Sequence, residues 1–116
     1  GDNCLLMGHV HLGHDCILQN NIVIANSTAV AGHVEIDSNV VVGGLSAIHQ
    51  FAKIGEYAMI GGGSILVQDI PPFCICEGNR AILRSLNING LRRNFSRDDI
   101  DAIKKAYKAI FDSKNP

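Results

Sequence analysis

The chain has no tryptophan, few aromatic residues and only three prolines in 116 residues. It has no basic stripe. Ten lysines and arginines stand against eleven acidic residues, for a net charge of −1, a balance that gives nucleic acid nothing to bind. No apolar run approaches the roughly 18 residues of a membrane-spanning helix, and no signal peptide opens the sequence. The four cysteines, Cys4, Cys16, Cys74 and Cys76, contain no Cys-x-x-Cys pair. Cys74-x-Cys76 could bind a metal, but two strand-end thiols are the better reading. Cys4 and Cys16 read as buried free thiols. Thiols used in this way predict a cytoplasmic protein.

What the sequence does have is a period. Every sixth residue from Leu6 is aliphatic: Leu6, Leu12, Leu18, Ile24, Val30, Ile36, Val42, Ile48, Ile54, Ile60 and Leu66. A short fixed repeat of this kind is the mark of a hexapeptide β-helix. Two residues earlier in each hexad stand small or β-branched residues: Cys4, Val10, Cys16, Ile22, Thr28, Val34, Val40, Ser46, Ala52, Ala58 and Ser64. Side chains two apart on a strand share a face, so both phases point inward. Two residues after each aliphatic, Gly and Asn dominate, as at Gly8, Asn20, Asn26, Gly32, Gly44 and Gly62. That is the place to expect a corner with positive φ. Three hexads make one triangular turn, so residues 18 apart stack into a quasi-one-dimensional solenoid.

Gly1 opens directly into a repeat already in phase, with no polar first coil to shield core and strand edges. Residues 1–72 are therefore expected to form a hexapeptide-repeat β-helix that continues an absent N-terminal part. Pro71 and Pro72 remove ladder donors and end the period. Residues 73–79 read as one last extended piece with a turn at Gly78-Asn79, and 80–116 as the start of a helical domain. Ile82, Leu83, Leu86 and Leu91 predict a first, irregular helix. Ser96 to Asp99 resembles a capping box opening a second, whose apolar residues are Ile100, Ile103, Tyr107, Ile110 and Phe111.

The chemistry lies in five histidines, His9, His11, His14, His33 and His49, none in an inward phase. Stacking by 18 places His14, Asp15, His33, His49 and Gln50 along one edge, with Gly13, Ala31 and Gly32 leaving space among them. A neutral imidazole can accept a proton near pH 7. A carboxylate can orient it, and a glycine N–H can donate to an oxyanion. Acyl transfer needs these three parts. Two alternatives stand beside it. His9-x₄-His14 plus a third histidine could hold Zn²⁺ with an open site, as in solenoids similar to the γ-class carbonic anhydrases. A non-catalytic assembly solenoid needs none of the histidines.

The segment Leu6-Met7-Gly8-His9-Val10-His11-Leu12-Gly13-His14-Asp15-Cys16 resembles the active-site stretch of the UDP-N-acetylglucosamine O-acyltransferases, the first enzymes of lipid A synthesis. The likeness continues through Ala31-Gly32-His33-Val34, Ala47-Ile48-His49-Gln50-Phe51 and Gln68-Asp69-Ile70-Pro71-Pro72. It also takes in Gly78-Asn79, Asn87-Ile88-Asn89-Gly90-Leu91 and Phe95-Ser96-Arg97, and so covers essentially the whole chain. Many transferases share the hexads; the His-x-x-His-Asp block followed by His-Gln-Phe and the helical tail is the specific part. The family's chain is over twice as long as this one, and the likeness is to its middle.

The resemblance implies a homotrimer of left-handed parallel β-helices with active sites between subunits, and no cofactor. It implies a 3-hydroxyacyl-acyl carrier protein as donor and UDP-N-acetylglucosamine, or its 3-amino analogue, as acceptor. His14 matches the general base, Asp15 its partner and Gly32 the oxyanion N–H. His11, His33, His49 and Gln50 match residues lining the cleft. Asn87, Arg92 and Arg93 match the part that holds nucleotide and phosphates, a task suited to the guanidinium fork. Gly62 falls where the family tunes acyl length, and a glycine there predicts a longer chain. Arg80 stands where the family often has a histidine near the acyl tail, and Asn89 where it often has an acidic residue near the nucleotide. The turn from Leu91 to Phe95 is one residue shorter than the common pattern, so either arginine can meet the phosphate.

Overall fold

The structure, a computed structural model, describes residues 1–79 and 82–114, without the side chains of 83, 84 and 110–114. Arg80 and the side chains of Ile110 and Phe111 therefore lie outside the described residues.

Each hexad forms a two-residue strand and a corner. The strands are β1 (Leu5–Leu6), β2 (His11–Leu12), β3 (Ile17–Leu18), β4 (Val23–Ile24), β5 (Ala29–Val30), β6 (Glu35–Ile36), β7 (Val41–Val42), β8 (Ala47–Ile48), β9 (Lys53–Ile54), β10 (Met59–Ile60) and β11 (Ile65–Leu66). Each of β1 to β8 pairs in parallel with the strand 18 residues on, as Leu6 with Ile24 and Leu12 with Val30. Three parallel sheets result, and they form the faces of a prism. The first face is β1-β4-β7-β10, the second β2-β5-β8-β11, the third β3-β6-β9. The inward column of Ile24, Val30, Ile36, Val42, Ile60 and Leu66 is wholly buried. Full burial of such a side chain contributes about 1.5–3 kcal/mol, and stacking delivers it at every coil. Leu6 is 43% exposed, and Cys4 and Cys16 are half-buried rather than buried.

The outward residue between the two inward phases distinguishes the faces. On the first it is apolar: Leu5, Val23, Val41, Met59. On the second it is His11, then Ala29, Ala47 and Ile65. On the third it is Ile17, Glu35 and Lys53.

The corners correct the expected position of positive φ. It falls not on the glycine- and asparagine-rich position but on the next residue: Asn3, His9, Asp15, Asn21, Ser27, His33, Asn39, Leu45, Phe51, Tyr57 and Gly63 all lie between +58° and +71°. Asn, Asp and His tolerate this region best. At Gly32, in the preceding position, a glycine serves a different purpose, which is close approach between coils. A Cβ on Gly32 would lie 2.8 Å from the His14 ring.

After Pro72 the chain runs as β12 (Cys74–Glu77), parallel to β10, and turns at Gly78 with φ +98°. The expected helix over Ile82, Leu83 and Leu86 is instead a strand, β13 (Ile82–Leu86), antiparallel to β12. Beyond Pro72 no further coil takes the outer edge of β12, and its unpaired donors and acceptors recruit the returning chain. Leu91 belongs to the helix that follows, α1 (Ile88–Asn94), and α2 (Arg97–Lys114) comes after Ser96, whose hydroxyl accepts from the Asp99 N–H at 3.2 Å. Tyr57 stacks on Phe73 at 6.0 Å and both meet Phe95 edge to face at 5.1 and 5.8 Å, which pins the α1 end to a corner. Tyr107 of α2 packs on the core and donates to the Pro72 carbonyl. Cys74 and Cys76 are buried free thiols.

Candidate active site

The edge between the second and third faces gathers three stacked corners: 13–15, 31–33 and 49–51. Backbone bonds fix their spacing. The His33 N–H donates to the His14 carbonyl at 2.9 Å, and the Phe51 N–H to the Gly32 carbonyl at 3.2 Å. Gly13 permits the approach, since a Cβ there would lie 2.6 Å from the Ala31 carbonyl carbon. Asp15, His33 and Phe51 each take the positive-φ corner position, at 60°, 58° and 66°. For Phe51 this is a strained place, and such strain persists only where the surroundings enforce it.

The result is a compact cluster. His14 Nδ1 lies 3.2 Å from Asp15 Oδ2, and His33 Nε2 lies 3.8 Å from the same oxygen. The two imidazoles meet edge to face at 4.9 Å, and His33 stacks flat on Phe51 at 4.9 Å. The His14 ring covers Gly32, whose N–H makes no hydrogen bond among the described residues. The site thus offers an imidazole held by a carboxylate, beside an uncommitted backbone donor.

His11, His49 and Gln50 do not join that cluster. They line an adjoining groove of about 650 Å³ on the second face, floored by Ala29, Ala31 and Ala47. Gly62 lies at the far corner of that face, exposed, with its nearest neighbour Gly44 O at 3.4 Å, so a side chain there has room. His9 sits at the opposite end of β2 from His14, and among the described residues the one group able to present three metal ligands is His14, Asp15 and His33. The His9–His14 pairing that a zinc site would use does not form.

The residues matched to nucleotide binding lie on another edge, between the third and first faces. Asn87, Asn89 and Arg93 line a groove of about 550 Å³ with Asn21, Asn39, Val41 and Met59. Arg92 is exposed on α1 and does not line it. Asn87 is buried and engaged: its Nδ2 donates to the Tyr57 carbonyl at 2.9 Å and its Oδ1 accepts from the Gly90 N–H at 3.2 Å, capping α1. The sequence alone assigns Asn21 and Asn39 no role; their one signal is that each directly follows the corner position of its hexad. Arg80 lies outside the described residues.

A six-residue parallel solenoid with a His–Asp pair poised over a corner glycine defines a hexapeptide-repeat protein with an active-site-like edge. The family profile described as "Udp N-acetylglucosamine O-acyltransferase; Domain 2" matches residues 69–116. An acyl-[acyl-carrier-protein]–UDP-N-acetylglucosamine O-acyltransferase of Nautilia profundicola is 62% identical over 117 aligned residues, covering 100% of this chain and 45% of the relative. The solved UDP-N-acetylglucosamine acyltransferase from Campylobacter jejuni is 55% identical with a TM-score of 0.91, over 93% of this chain and 43% of that one. The Arabidopsis enzyme of that name is 44% identical with a TM-score of 0.95, over 100% and 41%. The chain belongs to the UDP-N-acetylglucosamine O-acyltransferase family, and its solenoid is the left-handed parallel β-helix of that family. It spans a little under half the length of these relatives.

Proposed function

We propose that the natural polypeptide carrying these 116 residues transfers a 3-hydroxyacyl group from acyl carrier protein to the 3-position of UDP-N-acetylglucosamine, the first step of lipid A synthesis, in the cytoplasm. The observation that carries the reading is the His14 ring, held by Asp15 at 3.2 Å and lying over the Gly32 backbone. Asp15 accepts from Nδ1–H, which leaves Nε2 unprotonated and able to take the proton of the sugar 3-hydroxyl. The sugar oxygen attacks the thioester carbonyl carbon. The Gly32 N–H donates to the oxyanion of the tetrahedral intermediate. Collapse breaks the carbon–sulfur bond, and the thiolate of the carrier receives the proton held on His14. The groove floored by Ala29, Ala31 and Ala47 gives an acyl chain an apolar path from this corner toward Gly62.

The acceptor requires a second subunit. Arg93 and Asn89 border a groove on a different edge of the prism from His14, so one chain does not bring both to one sugar nucleotide. A homotrimer with its sites between subunits does, the base coming from one protomer and the phosphate-binding arginine from the next.

The test is transfer from 3-hydroxyacyl carrier protein to UDP-N-acetylglucosamine and to its 3-amino analogue, wild type beside His14→Ala. Loss of a general base lowers the rate by about 10²–10⁴-fold. Equal rates for the two proteins, or no transfer to either acceptor by a folded oligomer, would overturn the reading. The preferred acceptor decides between O- and N-acylation.

A further inference from the structure

We propose that the same corner is an inhibitory Zn²⁺ site, with His14, Asp15 and His33 as ligands; only its inhibitory consequence rests on the acyl-transfer reading. One ligand atom from each residue lies within 4.8 Å of the other two. Two separations are known individually: 3.2 Å from His14 Nδ1 to Asp15 Oδ2, and 3.8 Å from Asp15 Oδ2 to His33 Nε2. Zinc with bonds of about 2.0–2.2 Å in tetrahedral geometry needs ligand atoms roughly 3.3–3.6 Å apart. Those two separations bracket that span, and rotation of two exposed rings closes the third. The backbone beneath is already set by the bond from the His33 N–H to the His14 carbonyl at 2.9 Å.

Two imidazoles and one carboxylate suit Zn²⁺ over Mg²⁺ or Ca²⁺, which take oxygen ligands. Three protein ligands leave a fourth position for water. The consequence for His14 follows from its tautomer. A metal on Nδ1 occupies the lone pair there, so the neutral ring carries its proton on Nε2. The atom that would accept the substrate proton becomes a donor, and the base is lost while the fold stays intact.

The test titrates the metal-free natural polypeptide with Zn²⁺ by calorimetry, and with Co²⁺ as a visible-absorption probe displaced by Zn²⁺. Wild type is compared with His33→Gln and Asp15→Asn, and with His9→Gln, whose histidine stands at another corner. One ion per chain is expected in wild type and His9→Gln. Because even an outer partner of a metal ligand is worth roughly 10–100-fold in affinity, the two ligand variants are expected to bind at least about tenfold more weakly. No binding in wild type, or equal binding in every folded variant, overturns the site. In the transfer assay Zn²⁺ should inhibit at the concentration that fills the site, and a chelator should restore the rate. Full activity with the site filled overturns the inhibitory role. Because binding is read without substrate, metal bound by a protein that transfers nothing would defeat the acyl-transfer reading and leave the site standing.

Discussion

At the scale of single residues, the corner glycine sets the geometry of the His14 ring. A Cβ at position 32 would come within 2.8 Å of both Cε1 and Nε2 of His14. Those atoms are the far end of an exposed side chain, so Gly32→Ala displaces the imidazole rather than the backbone. Stability should then barely change while the reaction suffers, since a misplacement of about 1 Å costs roughly 10²-fold in rate. Thermal unfolding measured beside transfer checks this: a variant with wild-type rate would show that the ring does not need its place over Gly32. This site was legible in the sequence because the 18-residue step stacks Asp15 under His33 and His14 under Gly32 without reference to any other element. Two details were not. The step puts Phe51 18 residues on from His33 but cannot say that its ring lies flat on that imidazole. Nor could it tell which corner residue takes positive φ, because glycine serves close packing as well as left-handed backbone.

At the scale of elements, the end of the solenoid holds the surprises. Ile82, Leu83 and Leu86 are spaced for a helix, and only the open edge of β12, the strand just before them, decides for β13. Asn87 then joins sheet to helix. Asn87→Ala removes the cap of α1, worth about 0.5–2 kcal/mol, and leaves the Tyr57 carbonyl without its donor. A loss of about 2 kcal/mol in urea unfolding is expected, and a change under a few tenths would mean that the cap contributes nothing. The same end should also be the alkaline weak point. Burial pushes the Cys76 thiol up to about 11, with the neighbouring Cys74 adding to it. Burial and then Cys74 likewise push the Tyr107 phenol up to about 12. Both groups stay protonated in the folded state above the pH where the unfolded chain releases its protons, so the folded state binds more protons in that window. Stability from this source is fully present below about pH 9, the ordinary thiol value, and falls as pH rises through 11 to 12. Urea midpoints at pH 8, 10 and 11 check it. Cys76→Ala should lower the midpoint at every pH but flatten its decline; an unchanged decline would place the alkaline sensitivity elsewhere.

At the scale of the whole molecule, the three faces differ in the one position per hexad that points outward. That position is apolar throughout the first face, small at Ala29 and Ala47 on the second, and charged at Glu35 and Lys53 on the third. The period by itself could not show how the returning helix would use this. Only when α1 lies along the first face do Arg93 and Asn89 come to border Asn21 and Asn39, on a different edge from His14. If each site takes its base from one subunit and its arginine from the next, two inactive variants should repair one another. In a cyclic trimer assembled from equal amounts of His14→Ala and Arg93→Ala chains, a given interface is intact only when the base side comes from the Arg93→Ala chain and the arginine side from the His14→Ala chain. That is a chance of one half for each side, so about a quarter of wild-type activity should return on mixing. Refolding or co-expressing the two chains, with each single variant assayed separately, measures this directly. If both residues served the same site within one chain, every mixed site would lack one of them and mixing would restore nothing.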